Sequence, residues 1–436
     1  MKNKNACLMI FISFMSFFNF SLTASYDLST IAGGNNPLGD NVPPTVATVS
    51  SPSQVFIDNL NNTYIADTNN HRIRWVPSSN TSINGVSYLA DTIYTIAGTG
   101  VAGFSGDGGL ATSAMFSSPR GVQVDSAGNI FVLDSNNNRV RKFTLGGNVS
   151  TIAGGGSSVG DNVVPTLAAI ASPSGIFIDN ANNIYIADTS NQRIRMIWGA
   201  ASNGTYTQGN IYTIAGTGVS GFSGDGGLAT SAQLSFPRSV RVDNTGAIYV
   251  ADSNNFRIRK FTLGGNIATV VGGGVGDQGP ATLAAVNFPS QVFLDALNNV
   301  YIADTNNNRI RMLWMATSNS TYTQGNMYTI AGTGGAGFSG DGGLATLASL
   351  RNPRSLYVDS TGIYVADTGN NAIRKFTLGG SMTTIAGTGV AGFQMKVVLQ
   401  HQHFCLILRA FFWIAYTPYI LLIKTIDEFV WCQVLI

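Results

Sequence analysis

Cysteine is nearly absent. The chain holds three, Cys7, Cys405 and Cys432, and none lies between residues 26 and 393. Disulfides therefore hold no part of that body, which is long enough to rely on buried apolar surface instead. Glutamate is scarcer still: Glu428 is the only one, so every acidic residue of the body is an aspartate. Of three histidines, only His71 lies in the body; His401 and His403 fall in the last stretch. A zinc centre takes about three protein ligands, and His and Cys cannot supply them here. The same scarcity argues against hydrolysis by a nucleophile–histidine triad. Only 11% of residues are charged, and the formal +2 is carried by Lys2, Lys4 and the C-terminal stretch. The body has no basic stripe, which excludes nucleic acid as a partner.

Glycine, by contrast, reaches 51 residues, and Asn, Ser and Thr are abundant. That is the profile of many short strands joined by turns. The chain opens with "MKNKNACLMIFISFMSFFNFSLTASYD": two lysines, an apolar stretch from Ala6 to Phe20, then small residues. The apolar run is short for a membrane span, and the pattern predicts a secretory signal peptide over residues 1–24. No membrane span is expected in the body.

One phrase then recurs six times: "TYIADTNNHRIR" from Thr63, "IFVLDSNNNRVR" from Ile130, "IYIADTSNQRIR" from Ile184, "IYVADSNNFRIR" from Ile248, "VYIADTNNNRIR" from Val300 and "IYVADTGNNAIR" from Ile363. A Pro-led strand such as "SPRGVQVDS" precedes each copy, and a "TIAG"-type strand follows it. An extra "TIAG" stands at Thr30. Four short β-prone segments per unit, recurring every ~55–65 residues, fit the blades of a propeller, whose radial stacking buries the sheet faces. The expected fold is an all-β, six-bladed propeller of four-stranded antiparallel blades. Its repeats lie at about 50–98, 117–154, 171–216, 235–272, 287–332 and 351–387. Odd units carry a long excursion before "TIAG" and are followed by "GFSGDGGLAT"; even units use the short "KFTLGGN".

Within the repeated phrase, Asn and Asp favour left-handed turn conformations, so "TNNN" reads as a tight hairpin. The aspartate before it and the first arginine after it are expected to pair: Asp67 with Arg72, Asp134 with Arg139, Asp188 with Arg193, Asp252 with Arg257 and Asp304 with Arg309. Their presence in unit after unit points to a structural role. The sixth unit has Ala372 at the arginine position, which would leave Asp367 without its partner.

These phrases resemble the NHL repeat, and the resemblance runs from about residue 50 to 375 in six copies. It implies a β-propeller, commonly six-bladed. It does not by itself imply one function, since NHL propellers include RNA binders, protein-binding modules, receptor ectodomains and a few metal-dependent enzymes.

Residues 394–436 break the pattern. At Gln394 the phrase "TTIAGTGVAGF" stops, and an apolar stretch begins that resembles nothing upstream. Its codons, read one nucleotide earlier, permit "SDEGGPATSAF" and then "VFLDSxxxIYIADxNNRRIR", with the internal spacing of the segment from Val292. The stretch is therefore expected to be a seventh NHL unit translated out of frame. His401, His403, Cys405 and Cys432 then carry no functional meaning, although they look like a metal cluster. As a transmembrane helix the stretch would place Arg409 at a costly position.

Two constellations remain. The "GFSGDGG" loops offer Asp107, Asp225 and Asp341 as weak calcium candidates; the plain reading is an Asp-Gly turn between blades, with no cofactor. Just after the proline of each first strand, even units carry Arg120, Arg238 and Arg354, where odd units carry Ser53, Ser174 and Ser290. First strands line a propeller's channel, so three arginines would ring one mouth. Either they bind an anionic group such as a carboxylate or sulfate, or each pairs with a neighbouring Asp. Sequons at Asn61, Asn80, Asn148, Asn203 and Asn319 mark candidate N-glycosylation sites. The expected role is a secreted, non-catalytic scaffold that binds protein or carbohydrate through one face. A metal-dependent hydrolase or lyase, and a truncated receptor ectodomain, are the alternatives.

Overall fold

A computed structural model describes residues 39–274 and 279–390, together with the backbone of two short strands, Val397–Leu399 and Leu406–Leu408. The signal segment, the extra "TIAG" at Thr30 and most of the C-terminal stretch lie outside these residues. The chain divides into two compact units at Gly392/Phe393, and in the second the two short strands pair antiparallel.

The first unit is six four-stranded antiparallel sheets, each built from one continuous stretch of chain in meander order. Blade 2 is typical: Pro119–Val124, Ile130–Asp134, Arg139–Phe143 and Ser150–Gly154. Branched and aromatic residues dominate these strands, as a pleated surface packed on both faces requires. Two turns recur. Between the first and second strands an aspartate folds the chain back: Asp125 Oδ1 accepts from the amides of Ala127 and Asn129, at 3.0 and 2.9 Å. Between the second and third strands lies one turn of 3-10 helix ended by a left-handed residue, Asn138 in this blade, with φ 57°. The asparagine-rich phrase is what makes that conformation easy.

Apolar side chains fill the seams between blades, with Phe116, Val132 and Phe143 packed beside Ile73 and Trp75 of the preceding blade. A hydrogen bond repeats at every seam. Thr68 Oγ1 donates to Pro119 O at 2.7 Å, and Ser135, Thr189, Ser253 and Thr305 repeat the bond at 2.6–2.8 Å. Thr368 of the last blade then donates to Pro52 O of the first, at 2.6 Å. Val55, Ile65 and Ala366 share one apolar cluster across that same seam. The ring thus closes with six blades and no exchanged strand. Among the described residues no helix is long and apolar enough to cross a membrane.

The odd-unit excursions occupy one end of their blades. In blade 1 the excursion forms a small hairpin, Thr81–Ile83 with Val86–Tyr88. In all three odd blades it packs a tyrosine between the blade's own aromatics: Trp75–Tyr88–Tyr94, Trp198–Tyr206–Tyr212 and Trp314–Tyr322–Tyr328.

Candidate functional site

The aspartates of the repeated phrase are completely buried, and their ionic partner is not the arginine expected. Asp67 lies 3.3 Å from Arg74, Asp134 3.3 Å from Arg141, Asp188 3.9 Å from Arg195, Asp252 3.6 Å from Arg259 and Asp304 3.4 Å from Arg311. Each is the second arginine of "RIR", one diagonal step across the hairpin. A diagonal separation of ~7–8 Å suits a long side chain better than the directly opposite position does. The first arginine turns outward instead. Arg72, Arg193 and Arg309 donate to the carbonyls of Thr99, Thr217 and Thr333. Arg139 and Arg257 stack on Phe104 and Phe222, at 3.9 and 4.0 Å. Asp367 is not orphaned by Ala372, because Arg374 meets it at 3.4 Å. The signal was present in the sequence: the second arginine occurs in all six copies and the first in only five.

The "GFSGDGG" aspartates face the same buried arginines from the other side. Asp107 lies 2.7 Å from Arg141, Asp225 2.6 Å from Arg259 and Asp341 2.6 Å from Arg374. Each of these carboxylates thus has a buried guanidinium as its counter-ion. Asp40 and Asp161 do the same for Arg74 and Arg195 in odd blades. Among the described residues, no three His, Cys, Asp or Glu side chains gather in a metal-binding group.

The channel mouth is different. Arg120, Arg238 and Arg354 converge with Ser53, Ser174 and Ser290 around a single cup, the six alternating as the blades do. Among the described residues none of the three arginines has a carboxylate partner, and no hydrogen bond satisfies the buried Nε of Arg120 or Arg238. The Phe288 ring lies 4.4 Å from the Arg238 guanidinium. Burial holds Arg238 down to about 10, helped by the positive charges of Arg354 and Arg120. Arg120 is lowered by burial, and Arg354 by burial and by Arg120. The serines set the backbone: Ser174 Oγ and Ser290 Oγ bond to Thr189 and Thr305 and donate to the carbonyls of Arg238 and Arg354, at 3.1 and 2.7 Å.

Below the cup the threefold order fails. Gln54 and Gln291 accept from the amides of Val122 and Leu356 in the next blade, the first at 2.9 Å. The matching position in blade 3 is Gly175, whose added Cβ would lie 2.4 Å from Arg238 O. On that side the cavity continues to Arg241. This arginine did not stand out in the sequence, because it lies in an ordinary alternating strand, "PRSVRV".

The two faces of the ring are distinct. The arginines sit where first strands begin, beside the 3-10 turns; Pro119, for instance, pairs with Asp134. All five sequon asparagines are exposed and lie in the turns at the other strand ends, between first and second or third and fourth strands. The side-chain oxygens of Asn203 and Asn319 cap their own turns, accepting from the amides two and three residues on.

Known proteins repeat this pattern. The family model "NHL repeat" matches residues 116–143 and 234–261. Mouse teneurin-4 is 26% identical over 57% of this chain, a stretch that is 10% of the teneurin. Human NHL repeat-containing protein 2 is 26% identical over 65% of this chain and 42% of its own length. The chain thus spans only a minor part of these relatives. An auxiliary nutrient binding protein from Bacteroides thetaiotaomicron superposes with a TM-score of 0.52, at 15% identity, over 78% of this chain and 71% of that one. At that identity the likeness concerns the fold alone.

Proposed function

The chain is an NHL-repeat β-propeller, and from that premise we propose that it is a secreted, non-catalytic binding module that takes an acidic group of a protein or carbohydrate ligand at its arginine-lined mouth. One observation carries the reading: three half-buried arginines share a cup with no carboxylate to neutralise them. Buried charge without a partner is costly, and a ligand carboxylate or sulfate offers each guanidinium a charge-assisted bond. The sequons support the same orientation, since glycans on the far face would leave the arginine face clear. Secretion rests on the N-terminal signal segment read from the sequence.

The test is capture of sulfated and carboxylated oligosaccharides and of acidic peptides by the purified protein. The comparison is with a variant carrying Arg120→Ser, Arg238→Ser and Arg354→Ser. Serine is what odd blades carry at this position, so the fold accepts it. Ligands of this site should bind the wild type in a salt-dependent way and lose at least about tenfold in affinity with the variant, the ~1.4 kcal/mol or more expected of charge-assisted bonds. Ligands captured equally by both proteins would refute the reading.

A further inference from the structure

The channel holds a fourth arginine that the threefold ring does not explain. Arg241 is 5% exposed, and among the described residues no carboxylate faces it. Its Nη1 donates to the carbonyls of Ile176 and Val240, at 2.7 and 3.2 Å. The rings of Phe177 and Phe293 lie 5.3 and 5.7 Å from the guanidinium. At the matching place in blade 2 stands the neutral Gln123, and in blade 6 Tyr357. The same cavity reaches Arg241 and the three mouth arginines, and no carboxylate lines it among the described residues. It deepens on the one side where Gly175 replaces the glutamine of the other odd blades.

We propose that Arg241 is a second anion subsite, so that the channel selects a small linear dianion, one end on the mouth arginines and the other beside Arg241. Three residue steps separate Arg238 from Arg241, about 10 Å along a strand, and the bulge between Pro237 and Ser239 breaks the alternation so that both side chains line the same cavity. The aromatic flanks exclude water from the inner charge and strengthen its attraction. The inference rests on the mouth being an anion site, and it adds selectivity for two charges on one molecule.

Titration calorimetry of the whole chain at low ionic strength, with succinate and acetate as probes, decides it. Wild type should bind succinate at least about tenfold more tightly than acetate. Arg241→Gln, which copies the residue of blade 2, should bring that ratio close to one, and Arg241→Lys should restore part of it. Equal affinities for the two probes in wild type, or an unchanged ratio in Arg241→Gln, would overturn the inner subsite and leave the mouth standing. Loss of neither probe in the triple serine variant would instead bring down the mouth reading and this inference with it. If Arg241→Gln fails to fold, Arg241→Tyr, which copies the residue of blade 6, takes its place with the same expected ratio.

Discussion

Two arginines separated by one residue have opposite roles in the first five blades. Arg259 is fully buried between Asp252 and Asp225, whereas Arg257 is half-buried over the ring of Phe222. Removing one member of a buried ionic cluster leaves uncompensated charge. Arg259→Met should therefore cost about 3–5 kcal/mol, and Arg257→Ala only about 1 kcal/mol or less. Urea denaturation midpoints check the contrast, and equal losses would contradict it. His71 gives a second residue-scale prediction. Its Nδ1 accepts from Ser118 N at 3.0 Å across a blade seam, and burial lowers its pKa. A depressed histidine binds its proton less readily folded than unfolded, so the contribution is complete above ~6.5 and falls away as pH drops below that value. Asn138 and Asn371 make the same seam bond without titrating. His71→Asn should lose part of the fall in Tm between pH 7.5 and 5, and an unchanged slope would rule the histidine out. The sequence showed which residues recur, and the second arginine's presence in all six copies, against five for the first, marks the one that turns inward.

At the scale of the element, the strands and hairpins were legible because each copy repeats the same alternation and the same turn residues. The residue ending the 3-10 turn is left-handed in every blade: His71, Asn138, Gln192, Phe256, Asn308 and Asn371. Phe256 is the exception in chemistry, with φ 54° and no side-chain acceptor for the next blade. A bulky residue held left-handed costs ~1–2 kcal/mol. Phe256→Asn should raise stability by about 1 kcal/mol, seen as a higher Tm; a lower Tm would mean that the ring contributes packing of its own. The excursions were less legible. Their sequences are polar and irregular, yet blades 1, 3 and 5 fold them back onto a Trp–Tyr stack. Such long-range aromatic packing leaves no periodic trace.

Closure and the channel belong to the whole molecule. The Thr368–Pro52 bond and its apolar seam close the first unit with six blades. The alternation of Arg and Ser after each proline was visible in the sequence, and the ring turns that alternation into a threefold cup. The inner step to Arg241 was not visible, since it depends on Gly175 of the neighbouring blade. Calorimetric titration of sulfate into the wild type and into the triple serine variant tests the central claim most directly. The account predicts one sulfate per chain bound by the wild type, weakened by added salt, and at least about tenfold weaker binding in the variant. Equal binding by both proteins, or none by the wild type at low ionic strength, would contradict it.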